Sequence, residues 1–347
     1  MKRFSSVRVT WVAFAVLASF GCRNSEPTAA PAASAPVAAP APAAATRVQT
    51  VTFHTNALGV DKQFLVYLPK TYDAKPARHY PVFYYLNGLG GNETNWAKGG
   101  HIDEAADALG LEAIIVMPDG DDSFYIDSAE PGDYDACKKD GTGLFNPMEP
   151  RDSTCVHDRK YETYITSDLI GYVDAHYRTI ASRDGRAIAG LSMGGYGALM
   201  LAGRHPDLFS ATASHSGVDS LFYEGPHPYD AAHVRIGSDV TKWGTTVEPI
   251  GAWVRGLFGT DKAFWDAHDP VPLLTKLGPG KLAIYLDCGT EDDFGLDAQA
   301  TYLHDQLTAN HIAHEFFVGP GRHNFSFWQA REPESLKFLR DHTTAAK

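Results

Sequence analysis

The chain is short of the residues that staple a fold or bind by charge alone. Four cysteines among 347 residues cannot frame a disulfide scaffold, so a packed core has to carry the fold, and a hydrophobic share of 44% is ample for one. Lysine and arginine total 30 against 42 acidic residues, and no basic cluster follows the first eight positions. Nucleic acid is therefore not an expected partner, because binding to phosphate depends on clustered cations. No apolar run reaches the ~20 residues needed to span a bilayer. The glycine-rich stretch Asn87-Gly-Leu-Gly-Gly-Asn92 is not followed by Lys-Ser/Thr, which excludes a phosphate-cradling loop. Asp119-Gly-Asp-Asp122 and the acidic stretch Asp133 to Asp140 lack EF-hand spacing and read as solvated loop carboxylates. No metal and no cofactor is expected, and no internal repeat is present.

The N-terminus carries an address. Lys2, Arg3 and Arg8 precede an apolar segment, Val9 to Phe20, whose length suits a signal peptide rather than a spanning helix. Leu17-Ala-Ser-Phe-Gly21-Cys22 resembles a lipobox in the small Gly21 before the cysteine, while Ser19 and Phe20 depart from it. Two outcomes stay open: a lipid-anchored protein tethered to a membrane through Cys22, and a secreted one. Residues 23–46 are almost wholly Ala, Pro and Ser, which bury too little apolar area to offset ordering entropy and should form an extended linker. The folded domain is expected over 47–347.

From there strands and helices alternate. Val48 to His54 and Gln63 to Leu68 alternate apolar and polar residues around the turn Asn56-Ala-Leu-Gly59. Pro81 to Leu86, Ala113 to Met117, Ala187 to Leu191, Ala211 to Ser214, Leu282 to Leu286 and His314 to Val318 are short apolar runs of the kind found in buried parallel strands. Helices are expected over Glu93 to Gly110, Tyr161 to Tyr177, after Ser192, and over about Leu296 to Asn310. This order predicts an α/β fold with a mostly parallel, doubly wound sheet and helices on both faces.

The chain is organised around Ala187-Ile-Ala-Gly-Leu-Ser-Met-Gly-Gly-Tyr-Gly-Ala198. A G-x-S-x-G turn between strand and helix holds its serine in a strained backbone conformation, so the neighbours must be small; Gly190, Gly194 and Gly195 are. Ser192 is the candidate nucleophile. A serine hydroxyl needs a base within reach and a carboxylate behind that base, so both partners are sought in loops just beyond later strands. Of fifteen histidines, His323 alone follows the last strand in a glycine-flanked loop; His54, His101, His205, His227 and His233 read as surface or structural. For the acid, Asp287 is still in strand register and reads as structural. Asp292 has the glycine-to-Asp spacing that turns the loop back over the site, and Asp293 and Glu291 remain alternatives. The oxyanion donors should be the N–H groups of Met193, at the start of a helix, and of Leu89, in the loop after Leu86 where Gly88 lets backbone approach substrate.

Together, Gly190-Leu-Ser-Met-Gly-Gly195, Tyr161-Glu-Thr-Tyr-Ile-Thr166, Asp287-Cys-Gly-Thr-Glu-Asp292 and Gly321-Arg-His-Asn-Phe-Ser-Phe-Trp328 resemble the esterase D-type family. That family takes in S-formylglutathione hydrolases, feruloyl and acetyl esterases, tributyrin esterases and mycolyltransferases. The resemblance spans most of Val48 to Arg340. It implies an α/β-hydrolase fold, a triad of Ser192, Asp292 and His323, oxyanion donors at Leu89 and Met193, and a pocket near Trp96 and Tyr125. Two stretches depart from the smallest members. The excursion from Asp119 to Arg159 holds Cys137 and Cys155, separated by 18 positions, which in an exported protein read as one disulfide pinning a loop beside the site. Cys288 reads as a buried small residue. The aromatic stretch Asp219 to Phe258 reads equally as a lid over the acyl group or as ordinary surface packing.

The function expected is an exported carboxylic-ester hydrolase working through an acyl-enzyme on a small-molecule or polysaccharide-linked ester, of short-chain, acetyl or feruloyl type. Export weighs against the glutathione thioester, an acyltransferase is the alternative, and a non-catalytic binding module is the contrasting class.

Overall fold

The computed structural model describes residues 47–141, 145–146 and 149–347. Residues 1–22, expected to be a signal segment ending at Cys22, and 23–46, expected to be a linker, lie outside the described residues. Eight strands are present: β1 (Val48–Thr55), β2 (Val60–Tyr67), β3 (Val82–Leu86), β4 (Ile114–Pro118), β5 (Arg186–Leu191), β6 (Ala211–His215), β7 (Ala283–Gly289) and β8 (Glu315–Gly319). They form one sheet in the order β1-β2-β4-β3-β5-β6-β7-β8. The β1–β2 hairpin is antiparallel, and β2 also meets β4 antiparallel; every pairing from β4 through β3 to β8 is parallel. This is the α/β-hydrolase architecture.

The central strands β3 and β4 are apolar throughout because both of their faces are covered. In β3, Val82, Tyr84 and Leu86 join one buried cluster, with Leu199 of the helix Met193–Arg204 and Leu274 of the helix Pro270–Leu277. Phe83 and Tyr85 point the other way, into a cluster with Ile102, Leu336 and Leu339. The side-chain period of two thus feeds two separate cores, one on each face of the sheet.

Two differences from expectation have physical reasons. The helix expected over 93–110 is two pieces, a π-helical stretch Asn95–Gly100 and an α-helix Ile102–Ala108, broken at His101 with φ 58°. Gly99 and Gly100 weaken the helix there, and both are closely approached: an added Cβ would lie 2.6 Å from the Phe325 ring or 2.7 Å from Glu332 Oε2. The helix Phe325–Asp341 was not among the expected elements, and Pro333 sits inside it. It is this helix that covers the second core.

Because β3, β5, β7 and β8 run parallel, their C-terminal ends share one edge of the sheet. The loops leaving those ends carry Leu89, Ser192, Asp292 and His323. The topology itself gathers the site.

Candidate active site

Ser192 occupies the turn between β5 and its helix with φ 54° and ψ −119°, a region L-residues avoid at a cost of about 1–3 kcal/mol. The strain is held from behind, since the Ser192 N–H donates to His215 O at the end of β6, 2.8 Å away. Glycine at position 194 is obligatory: a Cβ there would meet Leu86 O at 2.5 Å and Asn87 O at 2.6 Å.

His323 Nε2 lies 2.9 Å from Ser192 Oγ, and its Nδ1 lies 2.7 Å from Asp292 Oδ2. A carboxylate can only accept, so the proton sits on Nδ1 and leaves Nε2 free to accept from the serine. Asp292 is buried, and its other oxygen accepts the N–H groups of Phe294 (2.9 Å) and Leu296 (3.3 Å). The imidazole is fixed laterally by two rings nearly perpendicular to it, Trp328 at 5.0 Å and Phe294 at 4.9 Å between centroids.

The neighbouring acids do other things. Asp293 pairs with Arg322 at the surface, and that hydrogen bond holds its carboxyl below the ordinary value. Glu291 is exposed. Asp287 is wholly buried and faces His215 Nδ1 at 2.9 Å, while His215 Nε2 meets Ser335 Oγ at 2.9 Å. That second Ser–His–Asp series does not line the cavity that opens onto Ser192. It ties β6 and β7 to the C-terminal helix directly behind the Ser192 turn.

The oxyanion loop is clamped from the β4 end. Asn87 Oδ1 accepts from Gly120 N (2.9 Å) and from the Tyr125 hydroxyl (2.8 Å), and Asp122 Oδ1 accepts the Gly90 N–H at 2.6 Å. Among the described residues no protein acceptor takes the N–H of Leu89 or of Met193, the two donors the oxyanion reading requires.

A cavity of about 920 Å³ opens onto Ser192, Met193, His323, Leu89 and Gly88. Trp96 and Tyr125, expected at the pocket, do not line it. Trp96 is 1% exposed and its indole N–H donates to Leu86 O (2.9 Å); Tyr125 is fully buried beneath the Asn87 turn. Both support the loop from behind, because each has a polar end that reaches a backbone group across the core. The stretch after Asp219, left open between lid and surface, supplies much of the far wall through Leu221, Phe222, Trp243 and Ile250.

The acidic turn Asp119–Asp122 is buried rather than solvated. Lys62, itself 1% exposed, reaches Asp119 Oδ2 (2.5 Å), Asp121 Oδ2 (2.8 Å) and Ser153 O (2.9 Å). Burial and the Asp119 charge still push Asp121 up to about 7 and Glu149 up to about 8. Among the described residues, Glu93, Asp119 and Glu149 are the set close enough to share a metal, with donor atoms within 4.8 Å, but the Lys62 ammonium already occupies Asp119. Cys137 and Cys155 are disulfide-bonded. The excursion they close carries Phe145, whose carbonyl abuts Gly90 and whose side contributes to the cavity. Cys288 is free and buried, and burial pushes its thiol far up, away from nucleophilic use.

Sequence reasoning missed Asp122 and Phe294. Asp122 was hidden in an acidic run of solvated appearance, whereas Phe294 had a signal, an apolar ring two positions past the acid in an otherwise polar loop.

A family model described as "Putative esterase" matches residues 55–339. The chain belongs to this esterase family. Over 169 residues it is 35% identical to Esterase Rv1288 of Mycobacterium tuberculosis, a stretch that is 49% of this chain but 32% of that protein, so the chain spans about a third of it. It is also similar to the diacylglycerol acyltransferase/mycolyltransferase Ag85B of Mycolicibacterium smegmatis, 29% identical over 76% of this chain and 78% of the relative. Among solved structures of the fold, a ferulic acid esterase superposes with a TM-score of 0.57 at 26% identity, covering 84% of this chain and 96% of the other. An S-formylglutathione hydrolase from Agrobacterium tumefaciens gives a TM-score of 0.63 at 19% identity, covering 87% and 98%, a likeness of fold.

Proposed function

We propose that this member of the esterase family is an exported serine carboxylic-ester hydrolase. The observation that carries the reading is the unbroken series Ser192 Oγ, His323 and buried Asp292, at 2.9 and 2.7 Å, facing a cavity large enough for an acyl group and an alcohol. In the reaction, Ser192 Oγ attacks the ester carbonyl while His323 Nε2 takes its proton. The carbonyl oxygen becomes an oxyanion facing the N–H groups of Leu89 and Met193. Collapse breaks the bond to the alkoxide, which takes the proton from Nε2 and leaves. Water then repeats the sequence on the acyl-serine. Asp292 keeps the imidazole in the required tautomer and stabilises its cation.

Short-chain, acetyl or feruloyl-type esters suit the cavity and the similarity to a ferulic acid esterase. The disulfide and the apolar leader support export, with Cys22 as the point of a membrane tether if the leader is cleaved before it. Similarity to Ag85B favours one second reading, transfer of the acyl group to an alcohol in place of water. The test is hydrolysis of p-nitrophenyl esters from acetate to palmitate, and of methyl ferulate, by the wild type and Ser192→Ala, with fluorophosphonate labelling alongside. Turnover lost by at least a thousandfold in the variant is expected; activity within about tenfold of wild type refutes the mechanism. Labelling of Ser192 without turnover of any ester would favour the transferase.

A further inference from the structure

The four bonds of the tetrahedral carbon sort the cavity into parts. One goes to Ser192 Oγ and one directs the oxyanion to Leu89 and Met193. The leaving alcohol must lie on the side of His323, because its oxygen takes the proton from Nε2. The acyl group is left with the remaining space of the cavity. Two of the rings that line the cavity flank His323; Trp328 is 5% exposed with its indole N–H on Ser216 Oγ, which leaves Phe294 as the one with open surface. It stands at 82° to the imidazole with centroids 4.9 Å apart and lines the cavity, and its backbone N–H donates to Asp292 Oδ1.

Phe294 is nonetheless 48% exposed. Of the other exposed large apolar side chains among the described residues, Phe317 (37%) lies under the Arg331 guanidinium at 3.9 Å, and Ile236 (51%) does not line the cavity. Phe294 alone of these presents open apolar surface beside the reacting atoms. A single exposed apolar residue is ordinary; one that lines the cavity beside the imidazole is apolar surface that a bound alcohol can cover.

We infer that Phe294 is the platform of a leaving-alcohol subsite that selects alcohols bearing a ring, an aryl group or a pyranose presenting its C–H face. The inference rests on the ester-hydrolase reading above. A ring covers the exposed phenyl, removing apolar surface from water and making a stacked or C–H contact, whereas a methyl group leaves it wet. By microscopic reversibility the same subsite receives any alcohol that replaces water in deacylation. Phe294 therefore also sets how well ring-bearing alcohols compete with water for the acyl-enzyme, a transfer in which the acyl–Ser192 bond breaks, the ester bond to the acceptor forms, and the acceptor's proton passes through His323 to Ser192.

The experiment holds the acyl group constant. Methyl acetate, benzyl acetate and an acetylated methyl xyloside are hydrolysed by the wild type, Phe294→Ala and Phe294→Tyr, and kcat/KM of each ring ester is divided by that of methyl acetate. Phe294→Ala should lower at least one ratio about tenfold, equivalent to about 1.4 kcal/mol, and Phe294→Tyr should keep it. The ester whose ratio falls identifies the ring as aryl or sugar. With benzyl alcohol or methyl xyloside added, the ratio of transesterification to hydrolysis should fall in parallel. Equal losses on all three esters would assign Phe294 to support of the Asp292–His323 pair and overturn the inference, as would ratios that do not move. A wild type that hydrolyses none of the three and is not labelled by fluorophosphonate refutes the ester-hydrolase reading, and this inference with it.

Discussion

Glu332 offers a quantitative test of how the second core was assembled. It lies in the helix Phe325–Asp341 at 1% exposure, its Oε2 has no hydrogen-bond partner among the described residues, and Gly100 of the π-helical stretch packs on it. Burial first, and the Asp103 carboxylate second, push its carboxyl up from the ordinary 4.5 to about 9. Between those values the native protein keeps the proton and the unfolded chain releases it. The native state therefore binds more protons, and stability falls as pH rises. The contribution is fully present below about pH 4.5 and is lost progressively as pH climbs to about 9. Each pH unit inside that window removes about 1.4 kcal/mol, so moving from about pH 5 to about pH 7.5 removes roughly 3 kcal/mol. Glu332→Gln cannot ionise. Its stability relative to wild type should rise by roughly 3 kcal/mol across that interval, or about 6 °C in Tm. Guanidinium unfolding of both proteins at several pH values measures it. Parallel curves would refute the reasoning, because they require a carboxylate that stays charged at neutral pH in the folded protein, and hence a partner for it.

Three further outcomes are expected. Asp292→Asn should reduce kcat by about 10⁴ through the wrong imidazole tautomer, while Asp293→Asn stays within a few-fold; the reverse pattern would move the acid by one residue. Asp122→Ala removes the acceptor that holds the Gly90 N–H, and should lower kcat by about ten- to a hundredfold with a smaller change in KM, whereas Asp122→Asn, which keeps an acceptor oxygen, retains most activity. Replacing Cys137 and Cys155 by serine opens a closure of 18 positions and should cost about 3 kcal/mol in denaturant unfolding; identical midpoints for oxidised and reduced protein would contradict that.

Much of the fold was legible because its rules are short-range. A strand buried on both faces is apolar along its length, as β3 and β4 are and as β5 is from Ala187 on; a hairpin exposed on one side alternates, as β1 does. The elements missed are those whose local pattern conflicts with their tertiary state. The helix containing Pro333 reads as polar and interrupted, yet its Leu336 and Leu339 close a core. The helix expected over 93–110 splits at His101, because Gly99 and Gly100, closely approached by Phe325 and Glu332, weaken it there. Asp119 and Asp121 looked solvated because the lysine that meets them, Lys62, lies far away in sequence.

The order of residues by itself determined the candidate nucleophile. Gly190, Ser192 and Gly194 form a turn whose sterics are complete within five residues, and nothing distant is needed to recognise it. It predicted a mostly parallel sheet as well, since short apolar runs alternating with helices read as parallel strands with crossover helices. Which carboxylate faces His323, where the rings of Trp96, Tyr125 and Phe294 lie, and that Asp122 orients the oxyanion loop were decided only by tertiary structure. His323 meets Asp292 across 31 positions and Ser192 across 131, and these groups come within hydrogen-bond reach only after the sheet has brought its strand ends to one edge.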